Sequence, residues 1–538
     1  ALEYVSNHYK LNYSRSDAHR ADYDANILAD AFEHLLVDAK RQFQVETIRD
    51  LQDKVHTDSD FKRMFSKHAI VIAKNQAGLK ALYDLVSISN TETLAVKTKN
   101  EGSNAIGEPR IKRSTLQKYR QNLLVGSACL NGEVFEMACN GDDDRLKKTM
   151  AFYDYIELQP LGNYSTSLEL GSLPNLARLK EVQQRMIAMA HELELPILAT
   201  SDCHYCKQEE KIFRDIYITA KGVGGIAHPL YIRNEQIRRS HPNPDQHLRL
   251  TDEMIKEFSW LNNSQLVEEL VLDTPHQLFK EIEEIEPVPK GTYPPIIEGS
   301  DDQLRELCQK TAMDRYGFKG KVPDLVQKRL DNELDNIIRN GFGVHYYIAS
   351  LLVMKTNEDG YVVGSRGSVG SSFAATMSHI TEVNPLPPHY LCPQCHYSEF
   401  FLNGEVLSGF DLEDKSCPHC GAIMKGNGHN IPFQTFLGFN ADKTPDIDLN
   451  FSDLYQAKAH NFIKDYFGEE HAFRAGTIGT VAEKTAFGYV KGYEEDMGVQ
   501  FSYPMKEYLA MHCQDVKRTT GQHPGGIVIV PSNHVVED

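Results

Sequence analysis

Asp446 and Asp448 flank Ile447 in a stretch that continues Leu449, Asn450, Phe451. Side chains alternate across a β-strand, so this spacing turns both carboxylates to one face and sends the apolar residues into a core on the other. Two carboxylates side by side repel each other unless a cation lies between them. Hard oxygen ligands with room for phosphate oxygens favour magnesium. An ordinary exposed Asp pair at a strand end has the same spacing, so the assignment needs support from elsewhere in the chain.

That support lies upstream. Residues 361–377 read Tyr-Val-Val-Gly-Ser-Arg-Gly-Ser-Val-Gly-Ser-Ser-Phe-Ala-Ala-Thr-Met: an apolar strand, a Gly/Ser loop and a helix-compatible stretch. Gly364, Gly367 and Gly370 let backbone approach a ligand, Ser365, Ser368, Ser371 and Ser372 offer hydroxyls, and Arg366 adds positive charge. A helix N-terminus behind such a loop favours an anion. A merely flexible loop has a similar composition, and the segment is neither a Walker loop nor a dinucleotide turn. A phosphate cradle followed by paired carboxylates fits metal-dependent nucleotidyl transfer, in which two metals hold the attacking and leaving oxygens.

Between these features stand Cys392 and Cys395, then 21 residues, then Cys417 and Cys420. Two C-x-x-C pairs at that spacing predict a structural zinc site with four thiolates, closed to substrate. Cys203 and Cys206 make a further C-x-x-C, but with no second pair nearby they read as ordinary thiols.

The stretches VVGSRGSVGSS, ITEVNPLPPHY, TPDIDLNFS, RAGTIGTVAEKTA and KRTTGQHPGGIVIVP together resemble the PolC-type α subunit of bacterial DNA polymerase III. The resemblance extends from about residue 1 to the last residue. It implies a palm like the nucleotidyltransferase fold of polymerase β, with the Gly/Ser loop on the incoming triphosphate and three carboxylates binding two magnesium ions. Asp446 and Asp448 match the first two carboxylates, and the family's third lies on a strand beyond the Gly-Gln-His-Pro-Gly-Gly segment, past Asp538. The family also carries a four-cysteine zinc site at this place. Primer–template DNA and dNTPs are the implied partners, with a sliding clamp and other replisome subunits contacted through regions outside this chain.

Nearer the N-terminus, His19 precedes Asp24 by five residues. The spacing alone describes a surface pair. By resemblance it matches the last motif of a DEDDh 3′–5′ exonuclease, with His19 as general base and Asp24 as a magnesium ligand. Strands are predicted at 68–73, 122–126, 154–158 and 196–200, with a helix over 176–193 between the last two. His68, Glu133, Asp202 and His204 fall at or just after strand ends, where an α/β barrel holds its site. The stretch resembles the C-terminal part of a PHP domain, and these four are candidate ligands for Mn2+ or Zn2+. A buried His beside a capping Asp accounts for Asp202 and His204 equally well. Gln159 stands where PolC relatives often place His, so no catalysis is assigned to this region.

The elements that must position these groups set the domain organisation. A chain of 538 residues implies roughly three or four domains. Its 41% hydrophobic and 25% charged residues are those of a globular protein. A net charge of −18 argues against a protein that coats DNA, though a basic channel needs only local charge. No run of 18 apolar residues and no signal peptide is evident, which points to a cytoplasmic protein with no membrane partner.

The expected architecture is a multidomain α/β protein. Residues 1–50 would be a C-terminal exonuclease remnant, 51–250 part of a PHP α/β barrel, and 251–300 a connector. Residues 301–455 would form the polymerase-β-like palm, with a zinc ribbon inserted over 390–422. A helical thumb over 456–515 and a return to the palm over 516–538 complete it. Helices opening at 300 and 324 would carry Ser and Asp caps, and one near 251 a Thr cap. Arg474, Lys484, Lys517 and Arg518 are candidate DNA contacts, although Lys517 and Arg518 also suit a solvated helix end. The function expected is template-directed DNA polymerisation with associated proofreading, this piece alone being inactive for want of the third carboxylate. The alternative is a polymerase-derived scaffold that binds DNA or the replisome without catalysis.

Overall fold

Short apolar runs bounded by Gly, Asp and Asn form the strands of this chain, and apolar residues at three- and four-residue spacing form its helices. The computed structural model describes residues 2–14, 21–47, 50, 65–97, 106–220, 227–228, 230–240, 243–288, 290–291, 293–438 and 446–535. His19 lies outside the described residues. The chain divides into two units, Ala1–Arg214 with Ile232–Ile285, and Asp215–Tyr231 with Glu286–Asp538.

In the first unit, helix α1 (Ala21–Phe43) precedes strands β1 (Ile70–Ala73), β2 (Leu123–Gly126) and β3 (Ile156–Leu158), helix α2 (Leu176–Glu192) and strand β4 (Ile197–Ala199). All four predicted strands form. β1 runs antiparallel to β2, with Ile70 opposite Gly126. A parallel bridge from Gly126 to Tyr155 joins β2 to β3, and β3 is parallel to β4. Gly126 tolerates no side chain, because a Cβ there would lie 2.3 Å from the Tyr155 ring. Leu179, Val182, Met186 and Ala190 line one face of α2 and bury themselves with Val125, Ile156 and Ile197. Since β1 opposes its neighbours, His68 ahead of β1 comes to the end where β2 finishes and bridges Gly132.

The second unit opens with helices α3 (Ser300–Tyr316), α4 (Asp324–Arg339) and α5 (Gly343–Glu358). Ser300 and Asp324 are their first helical residues; the caps are Gly299, in the left-handed region at φ 70°, and Pro323. Thr251 likewise opens its helix, and Glu253 accepts the Leu250 N–H at 2.8 Å. Strand β5 (Gly364–Arg366) leads through a 3-10 turn (Gly367–Ser371) into helix α6 (Phe373–Met377), which is buried on every side. β6 (His389–Leu391), β7 (Ser398–Phe400), β8 (Lys415–Ser416) and β9 (Ile423–Asn427) form a small sheet in the order β8-β9-β6-β7. Strand β10 (Asp448–Asn450) returns to pair with β5. Leu304, Cys308, Leu330, Leu334 and Ile337 from α3 and α4 enclose Val369, Phe373 and Met377 in one core.

Beyond residue 453 the expected run of helices is interrupted. Helix α7 (Asp453–Phe467) is followed by strand β11 (Ala472–Thr480), helices α8 (Glu483–Met497) and α9 (Tyr503–His512), and strand β12 (Lys517–Ile529). β11 and β12 form a long antiparallel ribbon with two register shifts. Lys517 and Arg518 therefore open a strand and do not end a helix. The β-branched Thr477, Ile478, Thr480, Thr519 and Thr520 favour extended backbone here. The segment expected to return to the palm over 516–538 pairs with β11, not with β10. Ile527 and Ile529 still pack in the same apolar cluster as Leu449 and Phe451. No helix among the described residues is long and apolar enough to cross a membrane.

Candidate functional site

Antiparallel pairing of β5 and β10 puts Asp448 opposite Arg366, Leu449 opposite Ser365 and Asn450 opposite Gly364. The Arg366 Nη2 donates to Asp448 Oδ2 at 3.0 Å. Arg366 is largely exposed and Asp448 half-exposed, so this pair adds little stability and supplies local counter-charge. Ile447 and Leu449 pack against the core of α3 to α6, and Phe451 against the cluster of α5 and α7. Asp446, just ahead of the strand, is exposed, and Asp448 is half-exposed. The alternation seen in the sequence thus leaves both carboxylates on the accessible side, beside the Gly/Ser loop. Hard oxygen donors at an accessible strand edge suit a magnesium ion.

The loop divides into an outer and an inner part. Gly364, Arg366 and Gly367 are exposed, and Ser368 is half-exposed. Gly367 takes φ 77°, which its missing side chain permits. Ser365 Oγ bonds Thr381 Oγ1 at 2.6 Å. Ser371 and Ser372 are buried, which corrects their assignment as phosphate ligands. Ser371 Oγ donates to the Ser368 carbonyl at 2.7 Å. Ser372 Oγ donates to Glu333 Oε2 at 3.0 Å and accepts from the Tyr346 hydroxyl and the Ala375 N–H. Glu333 also accepts the Ala374 N–H at 2.9 Å. Side chains of the protein therefore already cap the N-terminus of α6, and it is not the anion site that the sequence pattern suggested. The accessible cradle is the turn over residues 364–368, with Gly370 half-buried behind it.

Cys392, Cys395, Cys417 and Cys420 converge, with all four Sγ atoms within 4.8 Å of one another. The Cys392 and Cys420 sulfurs are 3.4 Å apart and those of Cys395 and Cys417 3.6 Å. A tetrahedron with metal–sulfur bonds of about 2.3 Å has edges of about 3.8 Å, so the cluster is the size of a four-thiolate metal site. Each pair sits on a turn fixed by backbone bonds, Cys392 N–H to Tyr397 O and Cys417 N–H to Ala422 O. His419 packs between the rings of Phe318 and Tyr397 and stays outside the ligand set.

In the first unit the candidate ligands do not assemble. His204 Nε2 lies 3.6 Å from Asp202 Oδ1, and Asp202 Oδ2 accepts from Gln246 at 2.9 Å. Burial and the charge of Arg214 bring the His204 imidazole below its ordinary value, against the pull of Asp202. His68 Nδ1 faces Cys129 Sγ at 3.3 Å. Glu133 is taken up by Arg113 and by the Tyr153 hydroxyl, the latter at 2.8 Å. Among the described residues the four cysteines are the one group of three or more such side chains at ligand distance. Gln159 is buried with its Oε1 unpartnered. The described residues thus do not fit a PHP metal centre. Asp24 stands in the first turn of α1, half-buried.

Of the basic candidates, Arg474 on β11 bonds His460 Nδ1 at 3.1 Å, and α7 and β12 flank it. Lys484 on α8 and Lys517 and Arg518 on β12 are exposed, and among the described residues no carboxylate pairs with them.

A family model described as the bacterial DNA polymerase III alpha NTPase domain matches residues 302–504, and a PHP domain model matches residues 14–159. Over all 538 residues the chain is 47% identical to the "DNA polymerase III PolC-type" of Lacticaseibacillus paracasei. It is 44% identical over 522 residues to the protein of that name from Bacillus subtilis and 41% over 536 residues to that from Clostridium perfringens. These matches cover 100%, 97% and 99% of this chain. The chain belongs to the PolC-type DNA polymerase III family. It spans 34–35% of the length of these curated relatives.

Within the PolC-type chain, the NTPase match holds the Gly/Ser loop, the four cysteines and the Asp pair, and stops short of Lys517 and Arg518. The PHP match holds Asp24, His68, Glu133 and Gln159 and ends before Asp202 and His204. It also overlaps residues 14–50, where an exonuclease remnant is expected from the sequence. Arg329, Glu333, Tyr346 and Thr381, which hold the Gly/Ser loop, went unassigned in the sequence. No motif marks them, since their role depends on burial against residues far away in the chain.

Proposed function

We propose that this chain is part of a template-directed replicative DNA polymerase, with Asp446 and Asp448 as its first two metal-binding carboxylates. The observation that carries this is the β5/β10 register, which seats the Asp strand directly beside the Gly/Ser loop. Magnesium bound by the two carboxylates would stabilise the attacking 3′-oxygen and the leaving pyrophosphate oxygen during transfer to the α-phosphorus. Arg366 and the backbone of the turn over 364–368 take up charge on the β- and γ-phosphates. Arg366 can exchange its exposed contact with Asp448 for a phosphate oxygen at little cost. The family resemblance supplies the third carboxylate from a strand outside this chain.

The four cysteines hold zinc as a structural ion, because all four ligands come from protein and none is left for substrate. Lys484, Lys517, Arg518 and Arg474 supply positive charge to primer–template phosphates along α8 and the β11/β12 ribbon, the part corresponding to a thumb. The PHP-like unit is assigned no catalytic step. His19 and Asp24 carry the exonuclease assignment by resemblance only. A cytoplasmic enzyme working with clamp and replisome subunits completes the proposal.

The test uses the polymerase translated from the full reading frame. Asp446→Asn with Asp448→Asn should lower primer extension by at least about a thousandfold while leaving the Kd for primer–template within about threefold. Extension near wild type would refute the metal assignment, and lost DNA binding would point to a scaffold role for the strand.

A further inference from the structure

Behind the exposed turn lies a buried ion pair that the reaction scheme leaves without a role. Glu333 is fully buried on α4, and Arg329, one turn earlier, is largely so. Arg329 Nε donates to Glu333 Oε1. Arg329 Nη2 donates to the Ser371 carbonyl at 3.0 Å and to the Ile431 carbonyl at 3.0 Å. Glu333 Oε2 takes the Ser372 hydroxyl and the Ala374 N–H. Tyr346 donates to the same Ser372 oxygen at 3.0 Å. One turn outward, Ser371 Oγ holds the Ser368 carbonyl and Ser372 N–H holds Val369 O. A continuous chain of hydrogen bonds thus runs from α4 to the accessible end of the loop.

Burying two charges carries a large desolvation penalty before their attraction is counted, and a well-packed apolar pair of similar size would be about as stable. Stability alone does not call for this pair. Two further facts give it a use. Its contacts go to the backbone and hydroxyls of residues 371–374 and to Ile431, which fixes loop geometry. It is also neutral overall, so it stiffens an anion-binding turn without placing net negative charge behind it.

We propose that Arg329 and Glu333 are positioning residues for the triphosphate, holding the turn over 364–368 in the shape that receives the β- and γ-phosphates. This rests on the assignment of that turn as the phosphate cradle. Because the contact is with phosphates, the effect falls equally on all four dNTPs.

Glu333→Gln in the full reading frame tests it by the split between KM and kcat. Positioning predicts a KM for every dNTP raised about tenfold, kcat within about twofold, and unchanged primer–template affinity. A purely electrostatic role predicts the opposite sign, since removing a negative charge beside a triphosphate site lowers KM. A purely structural role predicts a lower Tm and fewer active molecules with KM unchanged. Either outcome overturns the proposal. Arg366→Ala separates this from failure of the cradle assignment: unchanged KM there sinks the cradle, whereas a raised KM there with unchanged KM in Glu333→Gln sinks only the positioning role. If Glu333→Gln does not fold, Ser372→Ala removes only the hydroxyl that Glu333 and Tyr346 hold. It should raise KM about threefold, and an unchanged KM overturns the proposal.

Discussion

His389 is held neutral by the groups around it. Its Nδ1–H donates to the Pro387 carbonyl at 2.7 Å, and its Nε2 accepts from the Tyr316 hydroxyl at 3.1 Å. Asn384 donates to the same hydroxyl at 2.7 Å, so the oxygen is fixed from the other side. Burial, opposed by the Pro387 carbonyl and aided by Arg315, brings the imidazole down to about 4. The unfolded chain takes a proton on this ring near pH 6.5, whereas the folded chain does so only near pH 4. Stability from His389 is therefore complete above about pH 6.5 and is lost as pH falls from there toward 4. Thermal unfolding across that window should show Tm falling more steeply in the native chain than in His389→Gln. Parallel slopes in the two proteins would contradict the account of this residue. The comparison matters because carboxylates elsewhere titrate toward the lower end of the same range.

At the scale of elements, the zinc ribbon is the clearest case of a small fold that leans on its ligands. Its sheet has strands of two to five residues, and its own core holds Tyr390, Met424 and the two buried cysteines Cys392 and Cys417. So small a core needs a metal to persist. Metal analysis of the native chain should find one zinc. Cys392→Ser should lose it and lower Tm by roughly 6–12 °C, the size of a loss of about 3 kcal/mol in a unit of this length. A native chain free of zinc, or a variant with unchanged Tm, would remove the assignment.

The ribbon was legible in sequence because the two C-x-x-C pairs declare their own ligands. The strands β1 to β4 and the helices α2 to α4 were legible because their apolar spacing differs from that of loops. The β11/β12 ribbon was not. Glycines 476, 479, 521, 525 and 526 break its alternation, and its long exposed faces carry no apolar stripe. Arg329 and Glu333 were hidden for another reason: an oppositely charged i, i+4 pair on a helix ordinarily lies in solvent. Here the Gly/Ser loop and the segment at Ile431 close over it. The caps at 251, 300 and 324 missed by one residue because a first-turn Ser, Thr or Asp looks the same in sequence as a cap.

Across the whole molecule, two units correspond to two family matches. Residues 14–159 fall in the unit with the β1 to β4 sheet, and residues 302–504 fall in the unit with the Gly/Ser loop and the cysteines. Charge is distributed unevenly over the chain. The chain is strongly acidic overall, yet exposed basic residues lie along α8 and β12. In the first unit Glu133 is drawn off by Arg113 and Tyr153, and Gln246 donates to Asp202, so the candidate ligands among the described residues are held by protein partners.

The central claim is that Asp446 and Asp448 bind a divalent metal beside the Gly/Ser loop. The measurement that tests it most directly is backbone cleavage by hydroxyl radicals generated at iron(II) bound in place of magnesium. The account predicts cuts confined to residues 446–450 and the neighbouring turn over 364–368. Excess magnesium should suppress them, and Asp446→Asn with Asp448→Asn should abolish them. Cuts that spare both segments, or that persist unchanged in the double variant, would contradict it.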